Sequence, residues 1–486
     1  LVPRETWRFG RLRDDGSVED SHVHVTKDTA FDPDKIYEIV ATAAEPRIVG
    51  LGLAALRDAI AHVRADRAYN IDTALIFGHS QSGRLIATLI HEGLHVDAAG
   101  LSVFDAAYVR VAGGGKGSFN HRFAQTTRHF SQVEELIYPT DYFPFSPTVT
   151  DDPLTAQRGS LLDAARAIEA RRLGVDTVAS GETAPADAAA GSRRSAIPKL
   201  FFTNSSAEYW ARAASLIHTT PLAGQDLAPP PETARIYAIL GAQHFHARWA
   251  DRRGLRYCVN PIDKRPVARA LLRHLRRWAA DDVPPPDSRY PRLGEATLVE
   301  AGEALASLPA AVAPFRPDQP LVPPLLDHGP RFAAHGIADR VPPVIEGHYR
   351  TRVPAPDENG NDRGGVGLPH LAVPLGTHLG WNPRRLDRGG PAFLSRWLGS
   401  FHPFARNRAE RRADDDRRPS LAERYDDRAD FERRFRQAVE AFADQGFIRE
   451  QETPDIVADW VGLYDRLMNR PPDAMGCGYL SDSGNR

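Results

Sequence analysis

The chain has 486 residues, a formal net charge of -2 at pH 7, and hydrophobic and charged fractions of 42% and 26%, which are typical of a globular protein. This length fits two or three domains, or one elaborated α/β domain. The charge balance lacks the strongly basic character of a nucleic-acid-binding protein, and no apolar run reaches the ~20 residues that span a bilayer. Two cysteines are too few for a disulfide framework, and neither has metal-ligand spacing.

The first hundred residues alternate between strand-like and helix-like patterns. Strands are predicted over residues 21–26, 36–40, 74–77 and 101–105. Helices are predicted over residues 50–63, where Leu53, Leu56 and Ile60 recur at helical spacing, and over residues 83–92. Strands that alternate with helices indicate a parallel sheet covered by helices.

Between residues 106 and 195 this alternation stops. The segment contains a glycine cluster, an aromatic and proline-rich run, and one predicted helix over 160–172. A long irregular insertion in an α/β chain suggests a lid or a binding loop. Alternation resumes with strands over 200–203 and 235–240 and helices over 208–216 and 266–280.

The last part of the chain is rich in proline and then strongly helical and charged. Both signs of charge are mixed over residues 411–436, which indicates a solvated helix face rather than a nucleic-acid patch. We therefore divide the chain into a first core segment, a lid-like insertion, a second core segment and a C-terminal region that packs on the core: 1–105, 106–195, 196–295 and 296–486.

The segment around Ser80 has the pattern of a nucleophile elbow. An apolar strand enters, a helix leaves, and small residues flank the serine, as the sharp strand-to-helix turn requires. Ser82 stands where G-x-S-x-G has its second glycine. The alternative is a glycine-rich turn with a solvated serine. We predict that Ser80 is the nucleophile and that the backbone N–H of Gln81 binds the oxyanion, with a second donor expected from a loop after an earlier strand.

Candidates for the acid and the base follow the two later strands. A serine nucleophile needs a base that is itself held by a carboxylate, and in α/β-hydrolases these follow in the order Ser, Asp/Glu, His at strand ends. Glu208 and His244 fit this order. Glu208 also suits the first turn of a helix, Asp105 is a competing acid, and His246 is a competing base. We predict a triad of Ser80, Glu208 and His244.

Two segments are similar to metal sites. Residues 91–95 read H-E-x-x-H, which binds zinc when both histidines share a helix face, but Gly93 should end the helix and leave His95 off that face. Residues 357–362 are rich in oxygen ligands but lack the terminal glutamate of an EF-hand, and Asn-Gly is explained by turn chemistry. We predict no metal and no cofactor.

The elbow resembles that of a large bacterial family, the "alpha/beta hydrolase domain" family, which carries G-x-S-Q-S-G-R. The likeness rests on residues 77–84 and continues through 52–58, 103–105, 122–125, 142–145, 204–210, 380–382 and 418–425. It thus covers nearly the whole chain, including the C-terminal region, and a serine at position 82 is normal for the family. The resemblance implies an α/β-hydrolase fold with a mostly parallel sheet and hydrolysis of a carboxylic ester. Family members usually begin upstream of Leu1, so we expect N-terminal truncation, with cytoplasmic and exported locations both compatible.

We therefore predict a serine hydrolase that cleaves a small-molecule ester or lactone through an acyl-enzyme. The insertion would cover the substrate, and its aromatic residues would contact the acyl or alcohol part or form the core of the lid: Phe119, Phe123, Tyr142, Phe143 and Phe145. The alternatives are a catalytically silent hydrolase-like binding protein and a zinc peptidase at residues 91–95. We expect no nucleic-acid partner and no membrane span, and the oligomeric state stays open.

Overall fold

The chain forms two compact units, Leu1–Arg47 and Ile48–Arg486. The computed structural model describes residues 2–33, 35, 37, 39, 51–117, 142–175, 194–222, 224–248, 252, 254–313, 322–332, 339–340, 343–385, 394–395, 397–470 and 477–480.

The first unit consists of short strands and one turn of 3₁₀ helix at Arg4–Thr6. Strands β1 and β4 pair antiparallel, as do β2 and β3: β1 is Trp7–Phe9, β2 is Arg11–Leu12, β3 is Val18–Glu19 and β4 is Val25–Lys27. Of the strand predicted over 21–26, only residues 25 and 26 lie in a strand, as part of β4. The predicted strand over 36–40 falls largely outside the described residues.

The second unit is built on a four-stranded parallel sheet. Its strands are β5 (Leu75–His79), β6 (Ala106–Arg110), β9 (Lys199–Ser205) and β10 (Ala234–Ile239). The order across the sheet is β10-β9-β6-β5, and every neighbouring pair is parallel. All four strands therefore end at one edge of the sheet, where side chains from distant parts of the chain can meet.

The remaining strands of the second unit form antiparallel pairs outside this sheet. They are β7 (Thr150–Asp152) with β8 (Gln157–Gly159), β11 (Leu298–Val299) with β14 (Val353–Pro354), β12 (Pro324–Asp327) with β13 (Val344–His348), and β15 (Gly376–Leu379) with β16 (Ser400–Pro403).

The α-helices of the second unit are α1 (Gly52–Ala65), α2 (Gln81–His91), α3 (Asp163–Leu173), α4 (Ser206–Ala211), α5 (Arg265–Asp281), α6 (Ala301–Ser307), α7 (Pro369–Ala372), α8 (Arg408–Ala413), α9 (Leu421–Arg424), α10 (Arg428–Asp444) and α11 (Thr453–Met468). Short 3₁₀ helices cover Ala214–Ile217, Glu450–Glu452 and Gly478–Leu480. Within the described part of the chain, every helix falls short of the length and apolarity that crossing a membrane requires.

Helices cover both faces of the central sheet because successive strand side chains point to opposite faces. Val109 and Phe202 face one way and pack with apolar residues of α1 and α2. Tyr108 and Phe201 face the other way and pack with α5, α10 and α11. The late helices, which the sequence pattern placed in a C-terminal region, therefore share one apolar core with the sheet.

The strand predicted over 101–105 is misplaced, because β6 begins only at Ala106. Asp105 precedes this strand and accepts hydrogen bonds from the backbone N–H of Ala74 at 2.8 Å and from Arg64 Nη2 at 2.9 Å. Asp105 therefore lies at the amino end of the sheet, and Arg110 takes the position at its carboxyl end.

The turn between β5 and α2 is too tight for side chains at two positions. A Cβ atom at Gly78 would collide with the backbone of Ser82, and one at Gly83 would lie 3.1 Å from the carbonyl oxygen of Arg110. Ser82 is accommodated because its hydroxyl turns back onto the strand. Its Oγ accepts from the N–H of His79 at 2.8 Å and donates to the His79 carbonyl at 2.9 Å.

The two cysteines form a disulfide between Cys258 and Cys477, which are separated by 219 residues. Cys258 lies in the connection between β10 and α5, and Cys477 follows α11. The cross-link thus ties the segment after His244 to a late part of the chain, a role that the spacing of two cysteines did not indicate.

We expect Gly78→Ala to lower the free energy of unfolding by about 3 kcal/mol, the upper end of the range for overpacking, because backbone atoms cannot make room for the new Cβ. Urea denaturation measures this change. Gly52→Ala is the matched control, since a Cβ at Gly52 meets nothing within 4 Å, and it should be neutral or stabilise by about 0.5–1 kcal/mol. Equal effects of the two substitutions would contradict the elbow geometry.

We expect loss of the disulfide to lower the free energy of unfolding by roughly 2–4 kcal/mol. Cys258→Ala, Cys477→Ala and the double variant should show similar losses in urea denaturation, because each removes the same cross-link. Denatured but unreduced wild-type protein should not react with iodoacetamide at either cysteine. Reaction at both would show that the cross-link is not formed.

Candidate active site

Ser80 sits at the junction of β5 and α2 in a backbone conformation that is rare for residues other than glycine. Its φ is 59° and its ψ is -115°, and such a conformation costs about 1–3 kcal/mol. The strain is maintained by a hydrogen bond of 2.8 Å from the Ser80 N–H to the carbonyl of Arg110 on β6. Gln81 begins α2, so its backbone N–H is among those without an acceptor inside the helix. This N–H is therefore available to a developing oxyanion.

Glu208 uses its two carboxylate oxygens for two different tasks. It is the third residue of α4, and its Oε2 accepts from both the N–H and the Oγ of Ser205 at 2.6 Å, which forms a capping box. Its Oε1 lies 2.6 Å from Nδ1 of His244. The helix-capping and histidine-binding interpretations are therefore compatible, because each uses a different oxygen.

His244 is buried in the loop that follows β10, beside the elbow. Its ring centroid lies 5.3 Å from that of His79, the residue before Ser80. Because Nδ1 donates to Glu208, Nε2 is left as the acceptor nitrogen. Nε2 is buried and makes no hydrogen bond within the described residues, so it does not bond Ser80 Oγ. Such contacts are often formed only in the complex with substrate.

The charges of this pair suit a base and the residue that orients it. Burial alone would raise the pKa of Glu208, but the hydrogen bond from His244 and the charge of Lys264 lower it to about 2. Burial lowers the pKa of His244 below its ordinary 6.5, against the opposing effect of Glu208. At neutral pH, Glu208 is therefore ionised and His244 is neutral.

The C-terminal region braces the loops that carry this pair. Ser206 Oγ donates to Asp362, whose pKa burial raises to about 7, and accepts from the N–H of Gly241 at 2.8 Å. One hydroxyl thus joins the start of α4 to the start of the His244 loop. Further along this loop, Gln243 Oε1 accepts from the N–H of Gly399 at 2.8 Å.

The competing candidates lie elsewhere. Asp105 is at the opposite edge of the sheet, bound to Arg64, and does not reach His244. His246 faces Asp263, with 3.8 Å between Nδ1 and Oδ1, and does not contact Glu208. The structure therefore brings Glu208 to His244, and leaves Asp105 and His246 outside this pair.

The predicted aromatic residues of the insertion have different environments. Phe123 and Phe119 lie outside the described residues. Phe143 and Phe145 are buried in a small core with Tyr349. Tyr142 is half-buried, its carbonyl accepts from Lys116 Nζ at 2.9 Å, and its ring lies 6.5 Å from that of His91. Phe143 and Phe145 thus serve packing within the described residues.

Neither metal-like segment gathers a set of ligands. His91 ends α2, Gly93 follows with a φ of 68°, and the buried His95 Nε2 lies 2.8 Å from the carbonyl of Ala196. Asp357 Oδ1 accepts from two backbone N–H groups of its own turn, those of Asn359 and Asn361. The described residues contain no cluster of three or more histidine, cysteine or acidic side chains able to hold a metal.

A cavity of about 580 Å³ beside His244 was not predicted from the sequence. His79, Arg110 and Lys264 line it together with exposed aromatic rings. Arg110 lies at the carboxyl end of a parallel strand, as the triad candidates do. It was not predicted because the strand was placed over residues 101–105, which end before Arg110. Lys264 lies in a loop and has no comparable sequence signal.

Comparison with known proteins agrees with this architecture. No curated protein and no solved structure matches the chain. The model of a family described as "Alpha/beta hydrolase domain" matches residues 17–458, which include both the parallel sheet and most of the C-terminal helices. The fold expected from the sequence is therefore confirmed, and the chain belongs to the alpha/beta hydrolase domain family.

Proposed function

We propose that this protein is a serine hydrolase that cleaves a carboxylic ester or lactone with Ser80, His244 and Glu208 as its triad. The observation that carries the proposal is the 2.6 Å contact between Glu208 and His244, made beside an elbow that holds Ser80 at a φ of 59°. A neutral imidazole whose Nε2 has no hydrogen-bond partner among the described residues, near a strained serine at the end of a strand, is an arrangement that can activate a hydroxyl.

The reaction would follow from these positions. Ser80 Oγ attacks the ester carbonyl carbon while His244 Nε2 takes the hydroxyl proton, and the N–H of Gln81 donates to the oxyanion. Collapse of the tetrahedral intermediate breaks the bond to the alcohol oxygen, which leaves with the proton from His244. Water then attacks the acyl-enzyme with His244 again as base, and the acid departs as Ser80 regains its proton.

The first test is labelling with a neutral fluorophosphonate, followed by peptide mapping. We expect the adduct on Ser80 in wild-type protein and no adduct in Ser80→Ala. Ser82→Ala is the matched control on the same elbow, and it should still be labelled at Ser80. A folded wild-type protein without an adduct would contradict the proposal and favour a hydrolase-like binding protein without turnover. Ester hydrolysis kept in Ser80→Ala but lost on chelation would instead indicate the zinc peptidase segment.

The second test is the pH dependence of kcat/KM on a p-nitrophenyl ester. Because His244 must be neutral to act as a base and its pKa is lowered below 6.5, activity should rise with pH through a midpoint below 6.5. Glu208→Gln removes the group that raises this pKa, so the midpoint should move to lower pH while kcat falls by up to about 10⁴-fold.

Asp105→Asn is the control for this experiment, since Asp105 is the other carboxylate considered for the triad and lies at the far edge of the sheet. It should retain the wild-type midpoint and kcat. If Asp105→Asn shifted the midpoint and Glu208→Gln did not, the assignment of Glu208 as the triad acid would be contradicted.

A further inference from the structure

The cavity beside His244 has a basic floor. Arg110 lies at the carboxyl end of β6, and its Nη1 donates to Nδ1 of His79 at 2.9 Å. Lys264 is 2% exposed, and its Nζ donates to the carbonyl of Gln243. Both side chains line the cavity together with His79 and His244.

These two cations form no direct ion pair with a carboxylate among the described residues. In the described part of the chain, neither Arg110 nor Lys264 has a carboxylate oxygen within 4.0 Å, whereas surface arginines commonly do. Glu208 is the acid whose charge acts on Lys264, but its oxygens already bind Ser205 and His244. The charge of Asp263 also acts on Lys264, but its carboxylate is held by Arg265 at 2.7 Å.

Burial and the neighbouring charges act together on the pKa values of two groups in the cavity. Burial, together with the charges of Arg110, His244 and Lys264, lowers the pKa of His79 to about 3, against the opposing effect of Glu208. Burial lowers the pKa of Lys264 to about 7, with Arg110 acting in the same direction and Glu208 against it. Like charges that disfavour one another are stabilised when an anion lies between them.

A second cavity has a different balance of charged residues in its lining. It has a similar volume, about 520 Å³, and it is lined by three arginines, but three carboxylates accompany them: Arg235, Arg289 and Arg292 with Glu232, Asp287 and Glu295. The lining of this second cavity therefore contains as many carboxylates as arginines, whereas the described lining of the cavity beside His244 contains cations and no carboxylate.

The rim of the cavity is aromatic. Phe77, Phe245 and Trp397 remain 49%, 42% and 44% exposed. Phe245 also lines the cavity, and its ring lies 4.6 Å from that of His244 and 6.0 Å from that of Trp397. A cavity of this kind suits a small ligand with an apolar body and one polar group that fixes its orientation.

We propose that this cavity binds the carboxylate of the substrate, so that the preferred substrate carries a free carboxylate and an ester on one short apolar or aromatic body. Arg110 and Lys264 would receive the carboxylate, and the aromatic rim would cover the body. This substrate class rests on the function proposed for Ser80, but the anion site itself can be tested without turnover.

The test is calorimetric titration of the protein at pH 6 with phenylacetate, with the neutral isostere phenylacetamide, and with inorganic phosphate. We expect phenylacetate to bind at least tenfold more tightly than phenylacetamide, and more tightly than phosphate, which lacks the apolar body. Equal binding of phenylacetate and phenylacetamide, or no binding of phenylacetate, would overturn the proposal. If phosphate bound more tightly than phenylacetate, the proposal that the cavity is a carboxylate site would be overturned.

Substitutions locate the site. Arg110→Gln should weaken phenylacetate at least tenfold and leave phenylacetamide unchanged, and Arg110→Lys should recover part of the loss. Arg289→Gln, in the charge-matched cavity, is the control and should bind as the wild type does. Lys264→Met would also remove the hydrogen bond to the Gln243 carbonyl and could disturb the loop that carries His244. The test therefore uses Arg110→Gln, and thermal melting verifies that this variant is folded. Wild-type affinity in Arg110→Gln would exclude this cavity.

Kinetics link the pocket to the chemistry. We expect kcat/KM for monoethyl phenylmalonate to exceed that for diethyl phenylmalonate by at least tenfold, with the advantage lost in Arg110→Gln. Phenylacetate binding without fluorophosphonate labelling of Ser80 would support the anion site and overturn the hydrolase function. Labelling of Ser80 without phenylacetate binding would do the reverse.

Discussion

The hydrogen bond between Glu208 and His244 is the contact on which the candidate site depends. It selects the tautomer of His244, because a carboxylate at Nδ1 leaves Nε2 as the acceptor. It also counteracts the burial that lowers the pKa of the imidazole. Since the same carboxylate closes the first turn of α4 through Ser205, the orientation of His244 and the start of a helix are secured by one side chain.

This contact is held in place by a part of the chain that is far from it in sequence. Asp362 and Gly399 both follow the central sheet by more than a hundred residues. They nevertheless bind Ser206, two residues before Glu208, and Gln243, the residue before His244. The helices α10 and α11 add an apolar core against the sheet. The C-terminal region is therefore integral to the site as well as to the fold.

Much of this arrangement could be predicted because it follows from local patterns. Strand and helix periodicity indicated the parallel sheet, and the small residues around Ser80 indicated the elbow. The strand predicted over 101–105 was wrong because the apolar run continues past Asp105, so the pattern alone does not show where the strand begins. The hydrogen bonds of Asp105 with Ala74 and Arg64 place it before the strand. The disulfide and the basic cavity depend on residues brought together only by the fold, and no spacing in the sequence encodes them.

The disulfide has a consequence for the order in which the protein matures. Cys477 is synthesised 219 residues after Cys258, so the cross-link can close only after α11 has emerged from the ribosome. Until then the segment that follows His244 is secured by non-covalent contacts alone. The turn at Ser80, by contrast, is held by contacts within residues 78–110. The loop that carries His244 therefore gains its covalent cross-link only after the late helices have been synthesised.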